Sequence, residues 1–142
     1  MVKQKNKPES TEIFREEVIT LNLTSESKKK FQKELNSGTA SLVLLGVLDR
    51  AKKPMYGYQI AKLIEAHDES VQIMKQGALY PALRSLENSG LLESHVDPSV
   101  SGPPRRYYKI TKSGHDTLKA WIQIWGQTKV FVDTILGGNK NV

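Results

Sequence analysis

Apolar residues recur at helical spacing through the middle of the chain. From Thr39 or Ala40 onward, Leu42, Leu45, Val47 and Leu48 mark the inner side of one helix, which ends before Lys52-Lys53-Pro54. Proline ends it because the residue before a proline avoids the α region, so an extended link follows. A second helix is predicted from Gly57 or Tyr58 to His67, with Ile60, Leu63 and Ile64 inward. A third is predicted from about Gly77 to Ser89, where Leu79, Leu83 and Leu86 fall at i, i+4 and i+7. Gly90 then suits the position just past a helix end, where a left-handed backbone costs glycine little.

Beyond Gly90 the period changes. Residues 91–96 (LLESHV) and 106–110 (RYYKI) read as paired strands, and residues 97–104 (DPSVSGPP) between them are rich in turn formers. The segment TKSG at 111–114 leads into a last long helix over 114–136. Its apolar residues are Leu118, Trp121, Ile122, Trp125, Val132 and Ile135, and Gly126 is placed to bend it. Trp121 and Trp125, four apart, carry too much apolar surface to be left in water, so they face the core or a second subunit.

The region before Thr39 is less regular. Residues 1–10 are polar and predicted to be a disordered tail. Residues 12–23 mix helical and β-leaning features. Thr24 and Ser25 are candidate caps for a short helix carrying Phe31 and Leu35, with Asn36-Ser37-Gly38 as its stop. The predicted organisation is thus a tail at 1–10, an arm with one short helix at 11–38, a main domain at 39–112, a C-terminal helix at 113–136 and a tail at 137–142. Within the main domain the order helix, helix, helix, long-turn hairpin is that of a winged helix-turn-helix. The fold class is mainly α with a small β-hairpin, plus an N-terminal arm and a C-terminal dimerisation helix.

Composition narrows the functional classes. The 142 residues hold 21 Lys and Arg against 15 Asp and Glu, a formal charge of +6, and no cysteine. The absence of cysteine removes disulfides, thiolate zinc sites and cysteine nucleophiles. No apolar run approaches a membrane span, and the basic N-terminus has no apolar stretch typical of a secretory leader, so a soluble, cytoplasmic, nucleoid-associated protein is expected. His67, His95 and His115 lack metal-pair spacing, and there is no phosphate-binding glycine loop or nucleophile elbow. Neither catalysis, metal nor cofactor is expected. The positive balance favours a polyanionic partner.

With Leu79, Leu83 and Leu86 inward, the other side of the third helix carries Gly77, Tyr80, Pro81, Arg84, Ser85 and Asn88. Arginine can donate two parallel hydrogen bonds to guanine or clamp a phosphate. Tyrosine offers a phenolic donor and an apolar ring suited to a thymine methyl. Pro81 fits near a helix N-terminus, where a missing N–H costs least. An Arg and an Asn on a surface helix are also ordinary solvent-facing residues, so the wing supplies the second signal. Residues 99–113 hold four cations (Arg105, Arg106, Lys109 and Lys112) and no carboxylate, and the arginines follow a stiff Gly-Pro-Pro turn. Strand alternation should send Arg106 and Tyr108 to one face, and Tyr107 and Lys109 to the other. The Lys28-Lys29-Lys30 run reads first as the solvated side of its helix.

Five segments together, LLGVL at 44–48, YGYQI at 56–60, GALYPALRSLE at 77–87, GLL at 90–92 and GPPRRYYKIT at 102–111, resemble the PadR family of transcriptional regulators. The resemblance spans roughly residues 40–120. It implies a dimeric winged-helix repressor with the third helix in the major groove, the wing on the flanking backbone and a C-terminal helix that dimerises. Carried over, Tyr80 and Arg84 become recognition contacts, Arg105 and Arg106 wing contacts, and Tyr58 and Lys62 backbone contacts. The chain departs from the family pattern at Lys75 and Ala78, so half-site preference does not follow from the resemblance. Its long N-terminal arm is unusual for the family and similar to that of a cyanobacterial clock-modifying member.

The first reading is therefore a dimeric, sequence-specific regulator of double-stranded DNA, acting as a repressor at a pseudo-palindromic site. A winged helix that docks an acidic protein is the alternative. A third reading places a small-molecule effector between the tryptophan helix and the core, although no residue pattern indicates one.

Overall fold

The computed structural model describes residues 10–67, 76–98 and 101–138. The elements run α1 (Ser10–Ala51), β1 (Met55–Tyr56), α2 (Gly57–His67), α3 (Gln76–Asn88), β2 (Leu92–Asp97), β3 (Arg105–Ile110) and α4 (Lys112–Ile135). The three strands form one antiparallel sheet with β3 in the centre, in the order β1-β3-β2. The chain divides into two units, Met1–Ser37 and Gly38–Val142. The fold class is the expected one, mainly helical with a small sheet.

In the second unit a single core joins every element. Leu44, Leu45 and Leu48 from α1 meet Met55, Ile60 and Ile64, then Leu79, Leu83 and Leu86 from α3, with Leu91, Leu92, Tyr108 and Leu118 closing the cluster. Burying each such leucine stabilises the fold by about 1.5–3 kcal/mol. Leu42 and Val47 only pack partly buried against it, and Leu63 stays exposed. Leu63 was expected inside; the eleven-residue α2 presents only Ile60 and Ile64 squarely to the core, with Gly57 buried at its start.

The turn from α3 into β2 follows from its sequence. Gly90 has φ +77°, Gly90 N–H donates to the Glu87 carbonyl and Leu91 N–H to the Leu86 carbonyl, each at 2.9 Å. This pair of bonds satisfies carbonyls that a helix end leaves open, and Leu91 and Leu86 meet in the core beside it. Thr111 joins the same corner to α4. Its hydroxyl donates to the Gly90 carbonyl at 2.7 Å and accepts from Gly114 N–H at 2.9 Å, capping a helix that starts at Lys112, two residues before the expected 114. Gly114 has no room for a side chain, because a Cβ there would collide with the Leu91 carbonyl. His115 Nδ1 lies 2.6 Å from Asp49 Oδ1, tying the first turn of α4 to the end of α1.

The N-terminal region differs from its sequence reading. Instead of a short helix that stops at Asn36-Ser37-Gly38, α1 runs unbroken through those residues. A glycine inside a helix costs about 1 kcal/mol relative to alanine, which two flanking helical stretches can carry once nucleation has occurred. The Gln32 side-chain amide donates to Asn36 Oδ1 at 2.7 Å across the expected stop. Thr24 is no cap either: its hydroxyl donates to the Thr20 carbonyl one turn back. The other end of α1 closes at Lys52, whose φ of 54° is left-handed without the benefit of glycine. The extended link after Pro54 forms the short strand β1, which sequence patterning did not reveal. Most of the two expected tails, and Lys75, lie outside the described residues.

Candidate nucleic-acid interface

The inner row of α3 is wholly buried, which fixes what the helix shows outward. Tyr80 is 46% exposed, and Pro81, Arg84 and Ser85 are exposed beside it. Gly77 lies in the first turn of α3. Pro81 sits in the sixth helical position without breaking the helix. Tyr80 leans on the start of α2: a Cβ added at Gly57 would lie 2.6 Å from its ring. Gly57 therefore leaves the space in which the Tyr80 ring rests, coupling the placement of two candidate helices.

Strand alternation separates the two wing arginines. Tyr108 is buried on the core side of β3, and Arg106 shares that side. Its guanidinium Nη1 donates to Ser94 Oγ at 2.9 Å, and the Ser94 hydroxyl donates to Glu87 Oε1 on α3 at 2.8 Å. Arg105 takes the opposite side, with its guanidinium carbon 4.6 Å from the centroid of the Tyr56 ring. There Tyr56, Tyr107 and His95 form a row across the three strands. The Tyr56 and Tyr107 rings meet edge-on at 5.5 Å, and Tyr107 and His95 stack at 5.6 Å. Tyr58, 56% exposed, stacks 6.4 Å from Tyr56 and has Lys62 Nζ 5.5 Å from its own centroid. Lys62 also pairs with Glu65 at 3.8 Å, an exposed contact of little energetic weight. Lys109 is exposed on the Arg105 side.

Two groups thus emerge from the predicted residues. On the Tyr108 side of the sheet, Arg106 is linked through Ser94 to Glu87 of α3, the helix that carries Tyr80 and Arg84, and on the other side Tyr58 and Arg105 flank Tyr56, with Lys62 over the Tyr58 ring. Burial pushes the Tyr108 phenol above its ordinary value, and the Glu87 carboxylate adds to the rise, while the positive charges of Arg106 and Arg84 pull it down. Sequence reasoning missed Tyr56, Glu87 and Ser94. For Glu87 a signal existed, since it lies seven residues after Tyr80 on the same helical stripe.

The six residues expected on the dimerisation helix fall into three environments. Leu118 is 4% exposed and belongs to the core of its own chain, and Trp121 packs half-buried against that core. Ile122, Trp125, Val132 and Ile135 are exposed, together with Ile124, Val130, Phe131 and Leu136. Among the described residues no group of three His, Asp or Glu could hold a metal ion, and no helix is long and apolar enough to cross a membrane.

Residues 44–120 match the sequence model of the transcriptional regulator PadR-like family. Among solved structures, a PadR family transcriptional regulator from Eggerthella lenta is 30% identical, covers 82% of this chain and 98% of its own, and superposes with a TM-score of 0.70. A PadR family transcription regulator from Clostridium difficile is 31% identical over 69% of this chain and 98% of its own, with a TM-score of 0.58. A Lysinibacillus sphaericus relative, "Uncharacterized protein X", is 28% identical over 98 residues, or 69% of this chain and 87% of that protein.

Proposed function

Because the chain belongs to the PadR-like family of transcriptional regulators, we propose that it is a dimeric, sequence-specific double-stranded-DNA-binding repressor that occupies a pseudo-palindromic promoter site. The observation that carries this reading is the exposed Tyr80–Arg84 side of α3, tied to a wing arginine, Arg106, through Glu87 and Ser94. A buried leucine row holds α3 so that its polar side faces outward, as a helix that enters the major groove requires. Arg84 supplies a bidentate donor for guanine, and Tyr80, Pro81 and Ser85 fill the contact around it. Arg105, Arg106 and Lys109 on the wing, with Tyr58 and Lys62 on α2, meet the flanking phosphates and set affinity without reading sequence. The DNA-binding domain is residues 39–112. The function requires neither cofactor nor catalysis.

The exposed apolar side of α4 supports the dimer. Ile122, Trp125, Val132 and Ile135 form an apolar surface of the kind that marks a protein interface. Pairing α4 with its mate would set two copies of α3 one helical turn of DNA apart, or a multiple of it.

A salt titration with random-sequence duplex DNA tests the reading. Phosphate contacts release counterions, so binding should weaken linearly in log–log form with a slope of about −0.9 per phosphate neutralised. Steep salt-sensitive binding is the expected result. An absence of binding at low salt overturns the proposal in favour of an acidic protein partner for the basic wing.

A further inference from the structure

Arg105 and Arg106 are neighbours in sequence but are held in different ways. Arg105 rests on the Tyr56 ring on the outer side of the sheet. Arg106 ends a three-member chain that starts on α3: Glu87 Oε1 accepts from the Ser94 hydroxyl at 2.8 Å, and Ser94 Oγ accepts from Arg106 Nη1 at 2.9 Å. The polarity of this chain is chemically fixed. A carboxylate can only accept, a guanidinium can only donate, and a hydroxyl alone does both. The carboxylate also makes the serine oxygen a stronger acceptor, as charged hydrogen-bond partners do.

The chain sits at a defined place. Ser94 is paired with Tyr108 across the two strands, and Glu87 follows Tyr80 and Arg84 on one stripe of α3. The guanidinium of Arg106 is therefore referred to the helix that carries Arg84, and not merely to its own strand. An arginine side chain on an exposed strand loses much rotamer freedom when it is fixed on a ligand. One already held by a serine loses less of it on binding.

We propose that Glu87 and Ser94 are positioning residues that aim Arg106 at the nucleic-acid backbone in fixed register with α3. Neither residue needs to touch DNA. The inference rests on the DNA-binding reading above, and the test separates the two.

Binding of a fluorescent random-sequence DNA duplex is followed by anisotropy across salt concentrations for the full chain and for Ser94→Ala, Ser94→Thr, Arg106→Ala and the Ser94→Ala/Arg106→Ala double variant, with circular dichroism to confirm folding. Ser94→Ala is expected to weaken binding about three- to tenfold, the net size of one ordinary hydrogen bond. Its salt slope stays unchanged because no phosphate contact is removed. Ser94→Thr keeps the hydroxyl and restores binding. Arg106→Ala weakens binding and reduces the slope by about one, and the double variant binds no more weakly than Arg106→Ala alone. Unchanged affinity in Ser94→Ala, or a serine effect that persists in full without Arg106, overturns the positioning role while leaving the DNA reading intact. Unchanged affinity and slope in Arg106→Ala overturn the wing contact and the positioning role together.

Discussion

Helices α3 and α4 are both amphipathic, yet they meet their surroundings in opposite ways. The leucine row of α3 is consumed by the core of its own chain, and what remains outside is Tyr80, Pro81, Arg84 and Ser85. In α4 the core takes Leu118 and part of Trp121, and the next four turns leave Ile122, Trp125, Val130, Phe131, Val132 and Ile135 in the open. An apolar row satisfied within the chain frees the remaining face for polar recognition. An apolar row left unsatisfied asks for another apolar surface. The lesson is that hydrophobic periodicity identifies a helix, but the side it offers to a partner depends on how much of its apolar row the chain itself can cover.

Removing the inner support of α3 should have the largest effect. Leu83 is fully buried, and Leu83→Ala is expected to cost about 2–5 kcal/mol of stability, the range for cavity formation in a core. Chemical denaturation would register it, and DNA binding would fall with the folded fraction. Stability within about 0.5 kcal/mol of the parent would mean that α3 is not anchored by its leucine row.

Next comes the exposed row of α4. Trp125→Glu is expected to weaken self-association by about 2–4 kcal/mol, as for a central aromatic anchor, while far-UV circular dichroism stays unchanged. Sedimentation equilibrium is expected to show dimer for the parent chain and monomer for the variant. If both chains sediment alike, the two helices differ in exposure but not in role.

A smaller and more selective change is expected from Arg84→Ala. It should cost about 1–3 kcal/mol at one base position if the contact is bidentate to guanine, with folding and self-association intact. Competition between a selected operator and random duplex measures this. Equal losses on both would show that Arg84 holds only phosphate.

The smallest effect lies at the junction of α3 with the wing. The folded state raises the Tyr108 phenol above its ordinary value of 10.0. Its contribution to stability is therefore fully present below that pH and is lost as pH rises from there through the folded value. Denaturation midpoints measured on the alkaline side of pH 10 should fall less steeply for Tyr108→Phe than for the parent chain. Equal slopes would show that the phenol gains nothing from its burial beside Glu87.

Much of the region from α2 to α4 was legible in the sequence. The leucines at 79, 83 and 86, the glycine after α3, the turn-forming run before Arg105 and the threonine–glycine entry to α4 each impose a local geometry that tertiary packing had no reason to overrule. Other features were not legible for physical reasons. Asn36-Ser37-Gly38 carries stop-forming residues, but their combined local cost is small against the cooperativity of a helix that extends on both sides. The two-residue β1 has no period of its own and exists only because β3 offers it a ladder, pairing Met55 with Tyr108 and Tyr56 with Tyr107. The site divided likewise. Arg84 and the arginine pair stood out by charge and position, whereas Tyr56, Glu87 and Ser94 acquire meaning only from the neighbours that folding brings.

By itself, the sequence determined the helical periods, the hairpin turn, the cationic wing and the likeness to PadR regulators, because these depend on residue type at short range. Only the tertiary structure decided which arginine faces α3, what holds it there and how little of α4 its own chain can bury. Those outcomes depend on side chains far apart in the chain, Glu87 with Arg106 and Asp49 with His115, and no local pattern encodes the distance between them.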